Sequence, residues 1–298
     1  WLDCGINCVD PLEVAAGNDI NAMRAQFGKR VSFRGGIDKR AMAAGGNALK
    51  AELRPSRIEN SRFDGLMSVS ISGATGITLR GNTFRDMRGA ALVITQTRYA
   101  SVVSNVFSGS MPTNAIRLED GSSNGEILGN VVIGGERAGI MVRKDSSDVH
   151  VSRNIVWHRD GGGITITSSD CGRIEDNIVV SNRQKGIEVR ASQETQISNN
   201  LIEDNHSAGI WISDQPEGAQ TYLRSNLFAA NGSGLAAAAG ELILLDGNNF
   251  TQQYPRFLSG DLAMQSQLIG SDLTGATQLV LTAKGAVDPA PASLACTD

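Results

Sequence analysis

The sequence predicts an all-β fold: a right-handed parallel β-helix, a solenoid of about eight to nine coils, with a short α/β segment ahead of it. Three observations carry that reading. An asparagine set among apolar residues recurs at Asn82, Asn105, Asn130, Asn154, Asn177, Asn200, Asn226 and Asn248, at spacings of 23, 25, 24, 23, 23, 26 and 22 residues. A Gly-apolar-x-apolar segment follows several of them, as in Gly139-Ile-Met-Val142, Gly163-Ile-Thr-Ile166, Gly186-Ile-Glu-Val189 and Gly209-Ile-Trp-Ile212. Between these lie polar clusters such as Lys144-Asp-Ser-Ser-Asp148 and Ser168-Ser-Asp-Cys-Gly172, which read as turns.

Alternation of period two, as in Ile187-Glu-Val189, argues for short strands with one face inward. A single coil cannot bury those inward residues, so coils must stack, about 4.8 Å apart. An asparagine at one turn then hydrogen-bonds to its counterparts above and below. That ladder explains the asparagine column without catalysis. Leucine-rich repeats share the period and an asparagine column, but they need Leu at most consensus positions. Here Ile, Val, Ser and Gly dominate, and Ile and Val suit a pleated surface.

The repeat places the β-helix at 57–250, with coils beginning at Arg57, Ile77, Ser101, Gly125, Val149, Gly172, Gln196 and Tyr222 and a partial turn from Glu241. Insertions near Pro112 and at Gln215-Pro-Glu-Gly218 are expected in loops beside a binding face. Gly234-Leu-Ala-Ala-Ala-Ala-Gly240 reads as a tapered core turn. The period fades after Phe250, so 251–298 is expected to be a short cap and an irregular tail. Residues 1–56 lack the column and read as strand, helix, strand, helix. Asn18-Asp19 caps a first helix from Ile20 to Phe27, Val31 to Gly36 is a strand, and Asp38 caps a second helix that stops at Pro55. That second helix is expected to lie over the exposed first coil, since terminal repeats need capping.

With 298 residues and 41% hydrophobic content, the chain is long enough for a sizeable core and one or two domains. A net charge of -4 argues against nucleic acid as a partner. No apolar run approaches the roughly 20 residues of a membrane span. The start, Trp1-Leu-Asp-Cys4, shows no signal-peptide pattern. Cys4, Cys8, Cys171 and Cys296 are expected to be unpaired thiols rather than a disulfide framework. Three His, none before His150, give little basis for a zinc site. No metal or other cofactor is expected.

Outward residues on the strand after each recurring glycine fall into two columns. The first is Arg117, Met141, Thr165, Glu188 and Trp211. The second is Glu119, Arg143, Thr167, Arg190 and Ser213, with Asp120, Lys144 and Asp214 at the turn beyond. Guanidinium groups, carboxylates and a tryptophan on one strip suit an acidic polysaccharide. Arg pairs with uronate carboxylates bidentately, and a Trp face stacks on a sugar ring. The plainer reading is that such charges keep a sheet soluble. His158 and His206 lie on the turn entering the strip, two coils apart, where each is either a proton acceptor or a solvated turn residue.

The pattern apolar-x-x-Asn-x-apolar followed by Gly-Ile-x-Val resembles the β-helix family of carbohydrate-binding and sugar-hydrolase repeats. That group includes mannuronan epimerases and alginate or pectate lyases. The resemblance spans about 57–250 and implies a polysaccharide partner and a periplasmic or extracellular setting. Periplasmic mannuronan epimerases carry Asp-Pro-His-Asp just after the recurring glycine of one coil. The matching positions here read Thr165-Ile-Thr-Ser168, Glu188-Val-Arg-Ala191 and Trp211-Ile-Ser-Asp214. For an enzyme, the expected chemistry is proton abstraction beside a uronate carboxylate. Arg143 or Arg190 would neutralise the carboxylate, and His158 or Lys144 would act as base. Arg117, Glu119, Glu188, Trp211, His206 and Asp214 would hold the substrate. The alternative is a noncatalytic module that binds polysaccharide or protein along the same strip. In the first segment, Pro11 to Gly17, Arg24 to Arg30 and Gly35-Gly-Ile-Asp-Lys-Arg40 resemble a piece of the uroporphyrinogen decarboxylase superfamily, whose members are (β/α)8 barrels.

Overall fold

Each coil folds because three short apolar segments alternate inward and outward, and because polar corners between them turn the chain. The computed structural model describes residues 8–12, 25–26, 32–35, 56–252, 258–262 and 267–269. The chain divides into two units, Trp1–Ser56 and Arg57–Asp298. In the first, Cys8–Leu12 pairs in parallel with Ser32–Gly35, the latter where the sequence places a strand. The expected helix from Asp38 lies outside the described residues, as does most of that at Ile20–Phe27. So does most of the stretch said to resemble a decarboxylase barrel.

The second unit is a parallel β-helix with three faces. Sheet 1 stacks Ile116–Glu119, Ile140–Arg143, Ile164–Thr167, Ile187–Arg190 and Ala208–Ser213. Sheet 2 stacks Glu126–Leu128, His150–Ser152, Arg173–Glu175, Thr195–Ser198 and Gln220–Arg224. Sheet 3 stacks Val131–Ile133, Ile155–Trp157, Ile178–Val180, Leu201–Glu203 and Leu227–Ala229. Every pairing is parallel and joins one coil to the next, as in Ile140↔Ile164 and Ile155↔Ile178.

Inward residues form continuous columns. Ile127, Val151, Ile174 and Ile197 line sheet 2, and Ile116, Ile140, Ile164, Ile187 and Ile210 line sheet 1, all fully buried. Each such side chain contributes roughly 1.5–3 kcal/mol of hydrophobic stabilisation. Under sheet 3 the column ends in stacked aromatics. Phe63, Phe84 and Phe107 stand 4.9 and 4.5 Å apart, and Phe228 and Phe250 stand 4.3 Å apart, with near-parallel rings. Smaller β-branched residues fill the middle, where Val132, Val156 and Val179 are buried.

The asparagines align in a vertical row. Asn154, for example, donates its backbone N–H and its Nδ2 to Asn177 Oδ1 at 2.9 and 3.0 Å. Its Nδ2 also donates to Ile127 O at 2.8 Å, and its own Oδ1 accepts from Asn130 N and Nδ2, both at 2.9 Å. This ladder turns the chain from sheet 2 into sheet 3.

Polar ladders occupy the other two corners as well. Between sheets 3 and 1, Asn182 Nδ2 donates to Asn205 Oδ1 and Asn205 Nδ2 to Asn231 Oδ1, both at 2.9 Å. Between sheets 1 and 2, Ser146 N donates to Ser169 Oγ and Ser169 N to Ser192 Oγ, at 3.2 and 3.1 Å. The recurring glycine is explained by the Asn182–Asn205–Asn231 ladder. A Cβ on Gly186 would lie 2.6 Å from Gly209 O and 2.8 Å from Asn205 Nδ2, so the coils could not close to their spacing around a side chain.

Two expectations are corrected. Gly234 to Gly240 is not a turn, because Ser233–Asp246 runs as one strand that pairs with sheet 1 and then with sheet 2. The four alanines lack the polar groups that form the corner in other coils. Nor does strand pairing stop at Phe250: Leu235 pairs with Leu258 and Leu245 with Leu268. The asparagine column ends at Asn248 while the backbone ladder goes on, so a reading keyed to asparagine ends too early.

Candidate functional site

Sheet 1 brings the expected columns together in register. Arg117 pairs with Met141, Met141 with Thr165, Thr165 with Glu188 and Glu188 with Trp211. In the second column Arg143 pairs with Thr167, Thr167 with Arg190 and Arg190 with Ser213. Both insertions border this face. The one near Pro112 precedes Ile116–Glu119, and the turn closed by Ala219 N donating to Pro216 O at 2.9 Å follows Ala208–Ser213.

The charges form two clusters, each internally paired. In the first, Arg143 Nε donates to Glu119 Oε2 at 2.6 Å, and Arg117 Nε lies 3.0 Å from Glu119 Oε1. Lys144 Nζ is 3.0 Å from Asp120 and 4.0 Å from Glu119. Glu119 is only 4% exposed, so it is corrected from a surface contact to a group that orients two arginines. In the second cluster, Arg190 Nε donates to Asp214 Oδ2 at 2.7 Å and Lys185 Nζ to Glu188 Oε1 at 2.8 Å. The Lys185 ammonium also sits 5.7 Å from the Trp211 ring centroid. Trp211 is half-buried, and it is Trp157, on sheet 3, that stands more exposed. Lys185 escapes a reading of the strands because it lies just before the recurring glycine.

His158 and His206 occupy the corner that leads into sheet 1, both exposed. His158 packs edge-on to Trp157, with ring centroids 4.8 Å apart. That corner is the margin of sheet 1 opposite Arg143, Lys144, Arg190 and Asp214, which lie where its strands end. The four residues expected to share a catalytic role are therefore not gathered at one point. His150 faces outward on sheet 2, with Nε2 3.1 Å from Glu175 Oε2. A groove of about 490 Å³ also lies on sheet 2, lined in part by Glu175, Gln196, Tyr222 and Asp246.

Two buried charges were not apparent as such in the sequence. Arg159 holds the ladder position above which Asn182 begins, and it is fully buried. Its pKa is lowered to about 10 by burial, against a smaller opposing effect of Asp160. Glu241 is 5% exposed and accepts from Gln215 N at 3.2 Å. Its Oε2 is buried without a hydrogen-bond partner. Burial first and the Asp214 charge next raise its pKa, outweighing the backbone hydrogen bonds that lower it. A carboxyl with a raised folded-state pKa binds its proton more tightly folded than unfolded. Its contribution to stability therefore falls as pH rises from the ordinary glutamate value of about 4.3 through the raised one. Glu241→Gln keeps an acceptor for Gln215 and removes that dependence. Its melting temperature should match or trail wild type at low pH and exceed it at neutral pH, as thermal unfolding at the two pH values will show.

Cys171 is disulfide-bonded, which corrects the expectation of unpaired thiols. Among the described residues, no group of three or more His, Cys, Asp or Glu is placed to hold a metal ion. Nor is any helix among them long and apolar enough to cross a membrane.

Stacked parallel coils, an asparagine ladder and a glycine column define the molecule as a parallel β-helix protein. The family described as "Right handed beta helix region" matches residues 67–228, more than half of the chain, and the chain belongs to that family. Among solved structures it is similar to the periplasmic alginate epimerase AlgG, at 18% identity and a TM-score of 0.57. That match covers 73% of this chain and 53% of AlgG, so the chain spans about half of AlgG's length. It is also similar to the A-module of the mannuronan C-5 epimerase AlgE4 from Azotobacter vinelandii, at 17% identity and a TM-score of 0.54, covering 71% of this chain and 65% of that one. At these identities the likeness is one of fold. No curated protein matches the sequence.

Proposed function

We propose that sheet 1 binds an acidic polysaccharide laid across its coils. The observation that carries this reading is Lys185, at the entry to the Ile187–Arg190 strand, set over Trp211 of the next strand, with Arg190, Arg143 and Lys144 on the same face. Arg143 and Arg190 are two coils apart, or about 10 Å. The side chain of Arg190 is 60% exposed, so it can exchange Asp214 for a uronate carboxylate at little cost. Surface pairs of that kind contribute on the order of 0–1 kcal/mol. Trp211 offers a ring for a sugar to stack on once Lys185 swings aside to an acidic group. Asp214, Glu188 and His206 can hydrogen-bond hydroxyl groups. The structural neighbours named as epimerases of alginate and mannuronan are consistent with a polyuronate.

The paired state of every arginine on the strip favours binding over catalysis. A catalytic reading has one geometric support: Arg143 and Lys144 are adjacent, so a carboxylate held by the first would bring its neighbouring carbon near the second. Reprotonation on the opposite face would make an epimerase, and expulsion of a leaving group a lyase. Retention on immobilised alginate or pectate tests the first reading. Trp211→Ala and Arg190→Ala should each weaken it about tenfold or more, with circular dichroism unchanged. No retention of the wild type, or equal retention of both variants, would overturn it. New ultraviolet absorbance or an altered uronate epimer ratio would establish turnover.

A further inference from the structure

Sheets 1 and 2 present mixed, mostly polar outward columns, as strands facing water should. Sheet 3 does not. Its first outward column is apolar over six successive coils: Val106, Val131, Ile155, Ile178, Leu201 and Leu227 are paired in that order. Val106, Ile155 and Ile178 are 38–39% exposed, and beside them Trp157 is 43% exposed. Trp157 itself stands between Ile133 and Val180 in the second outward column. The apolar run is bounded by Thr83 at one end and Asn249 at the other. A continuous apolar strip of this kind, with polar ends, marks an interaction surface.

We propose that sheet 3 pairs with sheet 3 of a second copy of this chain, the two solenoids running in opposite directions about a two-fold axis between the Ile155 and Ile178 coils. The side chains themselves point to this occupant. The column grades from valine at one end to leucine at the other. Reversing it sets Val106 against Leu227, Val131 against Leu201 and Ile155 against Ile178, so each of the smaller valines meets a leucine, the two isoleucines meet at the centre, and the gap between sheets stays nearly even. The same operation sets Trp157 opposite Val180. It also brings Arg153, which flanks the strip on its coil, opposite Asp176 of the second copy. Within one chain these two are only loosely paired, at 3.9 Å, and the dimer would close a ring of four charges. Thr83 and Asn249, the polar ends, also meet. A self-complementary patch is what a two-fold interface requires.

Six strands at about 4.8 Å spacing and two outward positions per strand give a strip on the order of 400 Å² per copy. Stable dimers bury about 800 Å² per partner, so the expected association is weak, with a dissociation constant on the order of micromolar. Sedimentation equilibrium of the full chain should show the average mass rising from one chain toward two across the micromolar range. Ile155→Lys and Ile178→Glu lie outward, spare the core, and should each weaken association at least tenfold. The double variant Ile155→Lys/Ile178→Glu should recover it, because each introduced ammonium faces the introduced carboxylate of the other copy.

A mass of one chain at every concentration would overturn the proposal, and so would dimerisation indifferent to Ile155→Lys. A double variant no better than the single ones would overturn the reversed register. Single-chain mass together with retention on phosphatidylcholine vesicles would replace the second copy with a lipid surface. None of these outcomes depends on whether sheet 1 binds a polysaccharide.

Discussion

Arg159→Ala should lose roughly 3–5 kcal/mol of stability, a large share of the 5–15 kcal/mol typical of a folded protein. The guanidinium lies between coils and is held by backbone carbonyls. Nε donates to Arg137 O at 2.8 Å, Nη2 to Thr113 O at 2.8 Å and Ala138 O at 3.5 Å, and Nη1 to Gly134 O. Thr113 and Arg159 are 46 residues apart, so one side chain ties together the corners of three coils. Those are the coils in which the second asparagine ladder has not yet begun: the positions beneath Arg159 are Gly135, Met111 and Met87. Gly135 is the necessary complement, with a positive φ of 95° and no room for a Cβ, which would collide with Nη1.

Truncation would leave those carbonyls without donors and open a cavity. A desolvated cation is itself unfavourable, so the informative comparison is Arg159→Met, which fills the volume without charge or donors. If the carbonyl hydrogen bonds dominate, Arg159→Met should destabilise nearly as much as Arg159→Ala in urea unfolding. Should Arg159→Met match wild type, the desolvation cost would have balanced the hydrogen bonds, and Arg159 would not be what ties the three corners together.

The repeat was legible because each of its parts answers to one steric or polar demand. The asparagine at Asn154 or Asn177 must satisfy two backbone neighbours, and the glycine at Gly186 must admit the next coil, so both recur at fixed spacing. Register followed, and with it the two columns of sheet 1. The second ladder was also written in the sequence, five residues after the first at Asn182, Asn205 and Asn231. It is short, and Arg159 breaks it where a reader would look for the next member. Side-chain reach was not legible. Alternation places Glu119 and Trp211 outward but cannot say that two arginines fold over Glu119 or that Lys185 covers Trp211. The strip on sheet 3 was hidden for a related reason. Ile155-Val-Trp157 and Ile178-Val-Val180 are apolar throughout, so alternation gives no sign of which residues face out.

Asn154→Ala should be more damaging than the loss of any one contact suggests, roughly 3–6 kcal/mol by the cost of orphaned groups. Removing the side chain strands Asn130 N, one N–H of Asn130 Nδ2 and Ile127 O, all of which it satisfies, and leaves Asn177 Oδ1 with the Asn154 backbone N–H but without Nδ2. All lie in the buried corner, where water cannot replace them without opening the coil. Asn82 supplies the comparison. Its Oδ1 accepts from Ser61 N at 2.9 Å, and its Nδ2 donates to Ile58 O and Asn105 Oδ1, but Ser61 and Ile58 are only part-buried.

Asn82→Ala should therefore cost visibly less than Asn154→Ala, although the two residues make the same kind of bonds. Position also matters for cooperativity. In a solenoid, stability sums over coils and the interfaces between neighbours. A defect in the middle of the ladder should weaken the coupling of the two halves, broadening the urea transition or splitting it in two, whereas one near the end should leave a single steep step. Equal midpoints and equal slopes for the two variants would mean that the ladder acts as independent hydrogen bonds rather than as a continuous chain.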